Sequence, residues 1–332
     1  MMNAKRWFAL LAAAVLLIVS LGAQTAFSLW NTVSNQAQNQ QNQENIVKRG
    51  SSDNRIAMLD VEGTIQSSSG SGAFSGEGYN HEEFLSNLEE AGSSADVDGI
   101  IINVNSPGGG VVESDEIHDA VVEVQEEENK PVYVSMGNTA ASGGYYLAAP
   151  ADKIVAHSAT ITGSIGVIMS SLNYSELAEN LGIDSVNITS GEFKDIGSPT
   201  EEVTEEDREI MQGIVDDMYE DFLQVVIDGR GFSEEKARNL ADGRIYTGEQ
   251  AEENGLIDEL GTTEDTISMM EEDLELGDAT VERYTSDGFS WQSLLQNTVQ
   301  GMFISDEKLL GLQELLKSVG SASPRPMYLY EG

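Results

Sequence analysis

Three features of the sequence could together perform acyl transfer without a histidine. Ser142 follows small residues and precedes two glycines, so the backbone can turn sharply there and leave the hydroxyl uncovered. Lys194 lies downstream and can act as a general base when its amine is neutral. Residues 108–110 are consecutive glycines, and the N–H groups of Gly109 and Gly143 could bind an oxyanion. These residues predict a serine nucleophile with a lysine base.

Each of these features also has an ordinary structural explanation. A serine beside glycines is common in turns, a glycine run forms flexible loops, and most lysines lie on the surface. His157 follows a short apolar run downstream of Ser142 and is the alternative base. The three histidines do not have the spacing of metal ligands, so neither a metal nor another cofactor is predicted.

The composition excludes several classes of function. The 332 residues include 17 basic and 57 acidic side chains, for a net charge of −40, which disfavours nucleic acid as a partner. Such an acidic chain repels itself and is best tolerated where salt screens the charge, which is consistent with a halophilic or alkaliphilic source, and the alternative is ordinary solubility. Because cysteine is absent, disulfides and thiolate metal sites are excluded.

The elements that must position these residues alternate along the chain. Apolar and β-branched runs predict strands at 56–61, 97–104, 132–135, 154–156, 165–169 and 185–188. Amphipathic or apolar segments predict helices at 82–90, 113–128, 143–149, 174–181, 205–227, 233–240, 262–274 and 306–318. The alternation predicts an α/β fold of parallel units with a helical C-terminal part, in which the glycine run and the serine turn both follow buried strands.

The N-terminal segment predicts a membrane anchor. Lys5-Arg6 precedes an apolar run from Trp7 to Ala23, which extends to Trp30. The basic residues place the N-terminus in the cytoplasm and the rest of the chain outside it. The alternative is a signal peptide cleaved near Ala23. We therefore expect a single-pass anchor at 1–30 that contacts membrane lipid, a Gln/Asn-rich linker at 31–54, one large domain at 55–320 and an extended tail at 321–332.

Several motifs in order resemble a known family. They are Asn105-Ser106-Pro107-Gly108-Gly109-Gly110, the serine turn at 140–146, Thr162-Gly163-Ser164-Ile165-Gly166-Val167, Lys194 with Ser198-Pro199, and Arg244-Ile245-Tyr246-Thr247-Gly248 running to Gly255-Leu256-Ile257-Asp258. Over about residues 55–260 the chain resembles signal peptide peptidase A, the protease IV class of bacterial membrane serine proteases, in its short single-domain form.

This resemblance implies a fold, a mechanism and an assembly. The fold would be a Clp protease/crotonase-like stack of β–β–α units, so that 55–320 is the protease domain. Ser142 would be the nucleophile, Lys194 the base, Ser164 the hydroxyl that orients the lysine, and Gly109 and Gly143 the oxyanion donors. Nucleophile and lysine would come from neighbouring subunits of a homo-oligomeric, octameric ring. Substrates would be remnant signal peptides and other unfolded apolar peptides at the extracytoplasmic membrane face.

Other functions remain open at this point. A Clp-type Ser-His-Asp protease would use His157, and a stomatin-associated Ser-Lys membrane protease would differ in its lysine spacing. A crotonase-like acyl-CoA enzyme would use the glycine loop but would not need Ser142, and a ring-shaped scaffold would need no active site. We also expect small or apolar residues around the scissile bond. The proline-containing tail at 321–332 could lie in a substrate groove as self-inhibitor or self-substrate.

Overall fold

The computed structural model describes residues 45–67, 79–284 and 325–330. The strands in these ranges are β1 (Ile46–Lys48), β2 (Arg55–Glu62), β3 (Gly99–Ser106), β4 (Gly108–Gly110), β5 (Val132–Ala141), β6 (Lys153–Ala156), β7 (Ile161–Gly163), β8 (Ile168–Met169), β9 (Ile245–Thr247), β10 (Glu259–Leu260), β11 (Thr280–Arg283) and β12 (Pro326–Leu329). The helices are α1 (His81–Ser93), α2 (Val111–Glu126), α3 (Gly143–Tyr146), α4 (Ser175–Asn180), α5 (Glu205–Arg230), α6 (Glu234–Leu240), α7 (Gly248–Asn254) and α8 (Thr263–Asp273).

A large, mostly parallel sheet forms the centre of the fold. Its strand order is β1-β11-β2-β3-β5-β6-β10, and β7 pairs with the last residues of β5 on one side and with β9 on the other. β2, β3, β5 and β6 pair in parallel, as the continuous apolar runs predict for strands buried on both faces. The predicted α/β class is therefore confirmed.

Helices cover both faces of this sheet. Ile100 and Ile102 of β3 belong to the larger apolar cluster, which includes Ile117 of α2. The intervening Ile101 faces the other way and packs in a second cluster with Met270 of α8. Because successive strand residues point to opposite faces, one continuous apolar run serves both layers.

A small second sheet includes the glycine run as its strand β4. It has the order β4-β12-β8, and the tail strand β12 is antiparallel to both neighbours. Four residues of the predicted extended tail thus form the middle strand of this sheet. Within the stretch expected to be a polar linker at 31–54, Ile46–Lys48 form a strand that pairs with β11, and Lys48 makes an ion pair with Glu271.

Two strand predictions also differ from the structure. The run predicted as a strand at 165–169 is a strand only at its end, β8, and the strand before it, β7, already ends at Gly163, after which Ser164 turns the chain with a φ of +51°. The run predicted as a strand at 185–188 is irregular, and Val186 and Ile188 are 81% and 97% exposed. Alternating apolar and polar residues form a strand only beside a partner, and 185–188 pairs with none of the described strands.

The predicted helices of the C-terminal half begin at side-chain caps. Thr204 and Thr262 each form a capping box, with Asp207 and Asp265, at the start of α5 and α8. The predicted anchor at 1–30 and the predicted helix at 306–318 lie outside the described residues. Within the ranges that are described, no helix combines the length and the apolar character needed to cross a bilayer.

Candidate active site

Ser142 lies at a sharp turn between β5 and α3. Its φ of +52° and ψ of −117° are rare for a residue with a side chain and indicate local strain. The surrounding hydrogen bonds hold this conformation: the Ser142 N–H donates to the Gly163 carbonyl at 2.7 Å, and its own carbonyl accepts from Tyr145 and Tyr146 at 2.9 Å. The turn fixes Ser142 at the carboxyl end of a buried strand.

The Ser142 hydroxyl is buried without a hydrogen-bond partner. The residue is 1% exposed, and its Oγ finds no donor or acceptor in the described part of the chain. A buried hydroxyl is normally paired, because leaving it unpaired costs about 1–3 kcal/mol. This unpaired oxygen is therefore available to a base supplied from elsewhere and to a substrate carbonyl.

Gly143 allows the serine turn to approach the glycine run. A Cβ on Gly143 would overlap Ser114 Oγ and would lie 3.2 Å from the Gly109 nitrogen. Only a glycine leaves space for this approach. The backbone nitrogens of Gly109 and Gly143, predicted as the oxyanion donors, thus lie close to each other.

The glycine run β4 pairs along one edge with Ile65 and faces the tail strand β12 along the other edge. Ile65 donates its N–H to the Gly108 carbonyl at 3.0 Å and accepts from the Gly110 N–H at 2.9 Å. In such a parallel bridge the N–H and carbonyl of the intervening Gly109 point to the opposite edge. There Gly109 faces Tyr328 of β12.

The carbonyl of Tyr328 lies in the space between the two predicted donors. Gly108 has a φ of +98°, and a Cβ on it would overlap the Tyr328 carbonyl oxygen and lie 2.6 Å from the Gly143 nitrogen. Tyr330 extends the pairing by donating its N–H to the Pro107 carbonyl at 2.8 Å. A segment of this chain therefore shows how an extended peptide can place a carbonyl beside Ser142.

Ser164 lies next to Ser142, whereas Lys194 makes no contact with Ser142. The β5–β7 pairing matches Ala141 with Gly163, which places the two serines one residue further along adjacent strands. Lys194 lies on an exposed loop, and its side chain makes no hydrogen bond or ion pair with any described residue. The structure thus brings together Ser142, Ser164, Gly109 and Gly143, and leaves the predicted base apart from them within one chain.

Comparisons with known proteins identify the family. The model of peptidase family S49 matches residues 124–277, a span that includes Ser142, Ser164 and Lys194. A putative signal peptide peptidase SppA from Enterococcus faecium is 38% identical over the whole of both chains. This chain belongs to peptidase family S49. It is a serine peptidase, as the resemblance to signal peptide peptidase A implied.

Further similarities extend over much of the chain. A putative protease of Synechocystis is 35% identical over 83% of this chain and 96% of its own length. Among solved structures, a mutant of the membrane-bound stomatin-specific protease 1510-N is 15% identical, with a TM-score of 0.45 over 70% of this chain and 99% of that one.

His157 is placed away from the serine of this S49 peptidase. It lines a separate polar cavity of about 360 Å³ with Asp60, Glu62 and Asn105, and Ser142 is not among the lining residues. Its Nδ1 accepts a hydrogen bond from the Ala159 N–H at 3.1 Å. The geometry therefore gives no support to the alternative Ser-His protease.

One group of side chains resembles a metal site that the histidine spacing did not suggest. Asp115, His118 and Asp119 of α2 bring one potential ligand atom each within 4.8 Å of one another. All three residues already have partners, since His118 Nδ1 bonds to Asp119 at 2.9 Å and Tyr146 donates to Asp115 at 2.7 Å. Their hydrogen bonds explain the cluster without an ion.

Proposed function

We propose that this S49 peptidase is a membrane-anchored endopeptidase that uses a Ser142–Lys194 dyad to degrade cleaved signal peptides and other apolar, unfolded peptides. The observation that best supports the proposal is the unpaired, buried Ser142 hydroxyl beside two backbone N–H groups and the peptide carbonyl of Tyr328. The predicted anchor at 1–30 places the catalytic domain at the extracytoplasmic face of the cell membrane.

The chemistry follows from these positions. Neutral Lys194 takes the proton of the Ser142 hydroxyl, and the oxygen attacks the peptide carbonyl. The Gly109 and Gly143 N–H groups bind the resulting oxyanion, for which each such donor contributes about 3–4 kcal/mol. Protonated Lys194 then gives its proton to the leaving amine, and water hydrolyses the acyl-enzyme.

Lys194 reaches Ser142 from a neighbouring copy of the chain in this proposal. Two observations support a shared dyad: Lys194 has no side-chain partner among the described residues, and Ser142 Oγ has none either. The segment before Lys194 exposes large apolar side chains, namely Leu172, Leu177, Leu181, Ile183, Val186 and Ile188. An exposed apolar segment of this kind is typical of a protein interface. A homo-oligomeric ring, expected to be octameric, would cover it and complete each site.

Substrates bind as an added strand in this mechanism. β12 shows that the space between β4 and β8 accepts an extended segment through main-chain hydrogen bonds. Strand addition recognises backbone and therefore requires an unfolded segment, which suits released signal peptides.

The test is the pH–rate profile of the full-length protein in detergent with a fluorogenic apolar peptide, at several salt concentrations. Wild type and His157→Ala should be active, with rates that rise toward alkaline pH because the lysine must be neutral. Ser142→Ala and Lys194→Ala should lose about a thousandfold or more of the activity. Full activity of Lys194→Ala would overturn the dyad and return His157 to consideration.

A further inference from the structure

The side chain of Tyr328 fills a well-defined pocket. Its ring stacks on Tyr146, with centroids 4.9 Å apart and 24° between the planes, and lies 4.7 Å from the ring of Phe222. The residue is 1% exposed. Aromatic neighbours at these distances recognise flat or long apolar stems. Because the Tyr328 carbonyl lies beside the predicted oxyanion donors, this pocket is the one that a substrate side chain at the same position would enter.

The end of the pocket presents hydrogen-bond acceptors. The Tyr328 hydroxyl donates to the Met218 carbonyl of α5 at 2.9 Å. The Met218 carbonyl lies inside α5, where it already accepts a hydrogen bond from the helix backbone. The bond from Tyr328 is therefore additional, and the carbonyl would not be left unpaired without it. Burial, together with the negative charges of Asp221 and Asp115, raises the pKa of Tyr328 and keeps its hydroxyl protonated.

A cavity of about 760 Å³ adjoins this pocket between α2 and α5, and Tyr146 and Tyr328 form part of its wall. Its lining includes four carboxylates and, besides His118, no basic side chain. The carboxylates are Asp115, Glu126, Asp221 and Asp228. Carboxylates concentrated around a cleft give it a negative potential that attracts cationic groups.

We propose that this pocket selects substrate side chains that carry a hydrogen-bond donor at the tip, namely tyrosine, lysine and arginine, and rejects glutamate. The inference rests on the proposed function, because it assumes that substrates bind where β12 lies. It narrows the expectation of small or apolar residues near the scissile bond, since at this position the pocket holds a large side chain with a polar end.

The expected selectivity can be stated for matched side chains. Tyrosine should be cleaved about threefold to tenfold faster than phenylalanine, which lacks only the donor. A peptide with lysine at this position should be cleaved with a higher kcat/KM than one with methionine, whose unbranched side chain is similar in shape but uncharged. A peptide with glutamate should have a kcat/KM at least about thirtyfold below that of the glutamine peptide, because the pocket would hold its negative charge close to Asp115 and Asp221.

The experiment uses the full-length protein and synthetic peptides of the sequence 322–332 in which position 328 is varied among these six residues. The measurement is kcat/KM for each peptide, with the cleaved bond located by mass spectrometry. The protein's own tail competes with every peptide equally, so it does not alter the ratios. If kcat/KM were nearly equal within each matched pair of peptides (tyrosine and phenylalanine, lysine and methionine, glutamate and glutamine), the pocket proposal would be overturned. Complete failure to cleave any peptide would instead overturn the proposed function.

A charge variant tests the cause of the selectivity. Asp221→Asn should lower the lysine-to-methionine ratio and raise the glutamate-to-glutamine ratio, each several-fold, and its circular dichroism spectrum and thermal unfolding check that the enzyme remains folded. Asp217→Asn is the matched control, because it removes the same charge from an exposed position of α5 outside the cavity lining. Equal effects of the two variants would assign the selectivity to net charge and overturn the role of the pocket.

Discussion

Tyr328 lies directly opposite Gly109 in the antiparallel pair of β12 and β4. The tail of the chain therefore occupies the strand position that a substrate peptide needs in the proposed mechanism. A tethered segment competes at an effective concentration near the millimolar range when its linker can span the distance. This arrangement agrees with the interpretation of the tail as self-inhibitor or self-substrate.

Removal of the tail should therefore increase turnover of short peptides. We expect a chain ending at residue 320 to show an apparent KM lowered several-fold with little change in kcat, because only competition is removed. Tyr328→Ala should act in the same direction, since it empties the aromatic pocket. An unchanged KM in both variants would contradict competition. Intact mass spectrometry then separates the two roles: only a self-substrate is shortened in the wild type and remains whole in Ser142→Ala.

Gly108 should be intolerant of any side chain. Gly108→Ala would place a methyl group against the Tyr328 carbonyl and close to the Gly143 nitrogen, so it should reduce kcat/KM by about a hundredfold or more. Gly63→Ala is the matched control. Gly63 also has a positive φ, of +83°, but nothing lies within 4 Å of its Cβ position. Gly63→Ala should lose about 1 kcal/mol of unfolding free energy and keep its activity, whereas Gly108→Ala should lose more unfolding free energy and its activity as well. Equal activities would show that peptides bind elsewhere.

Much of the fold could be predicted from the sequence because its signals are local. The continuous apolar runs of β2 and β3 indicated a sheet buried on both faces, and the amphipathic patterns at 205–227 and 262–274 predicted the helices that the structure caps at Thr204 and Thr262. The serine turn could be predicted because small residues around Ser142 are required by close backbone packing.

The remaining features depend on contacts between distant parts of the chain. β4 and β12 lie more than 200 residues apart, and a run of three glycines has no side-chain pattern that indicates pairing. Ile46–Lys48 looked like linker because the segment before it is polar, and its partner β11 lies at the far end of the domain. The alternating pattern at 185–188 predicted a strand, but a strand also needs a neighbouring strand to pair with. None of the described strands pairs with this segment, and a sequence pattern does not reveal that.

Ser164 should act through the lysine, as a positioning residue. It lies beside Ser142, half-buried, with a φ of +51° that the bond from its N–H to the Arg244 carbonyl at 2.8 Å helps to hold. Ser164→Ala should lower kcat about tenfold to a hundredfold and leave KM nearly unchanged. It should also displace the pH at which the rate rises in the pH–rate profile. Ser158→Ala, at an exposed position on a nearby loop, should change none of these. A changed KM with an unmoved pH profile would indicate a structural role.

The shared dyad makes a quantitative prediction for mixed assemblies. Ser142→Ala retains Lys194, and Lys194→Ala retains Ser142, so each variant alone should be inactive. If every site takes its serine from one subunit and its lysine from the next, random co-assembly of equal amounts completes about a quarter of the sites. Co-expressed variants should therefore regain about a quarter of the wild-type rate per chain. Co-expression of Ser142→Ala with the double variant should regain none, because no intact serine is present. Absence of recovery in the first mixture, with mixed oligomers verified by mass spectrometry, would place both dyad residues within one chain and contradict the assembly proposed from the unpaired Ser142 hydroxyl.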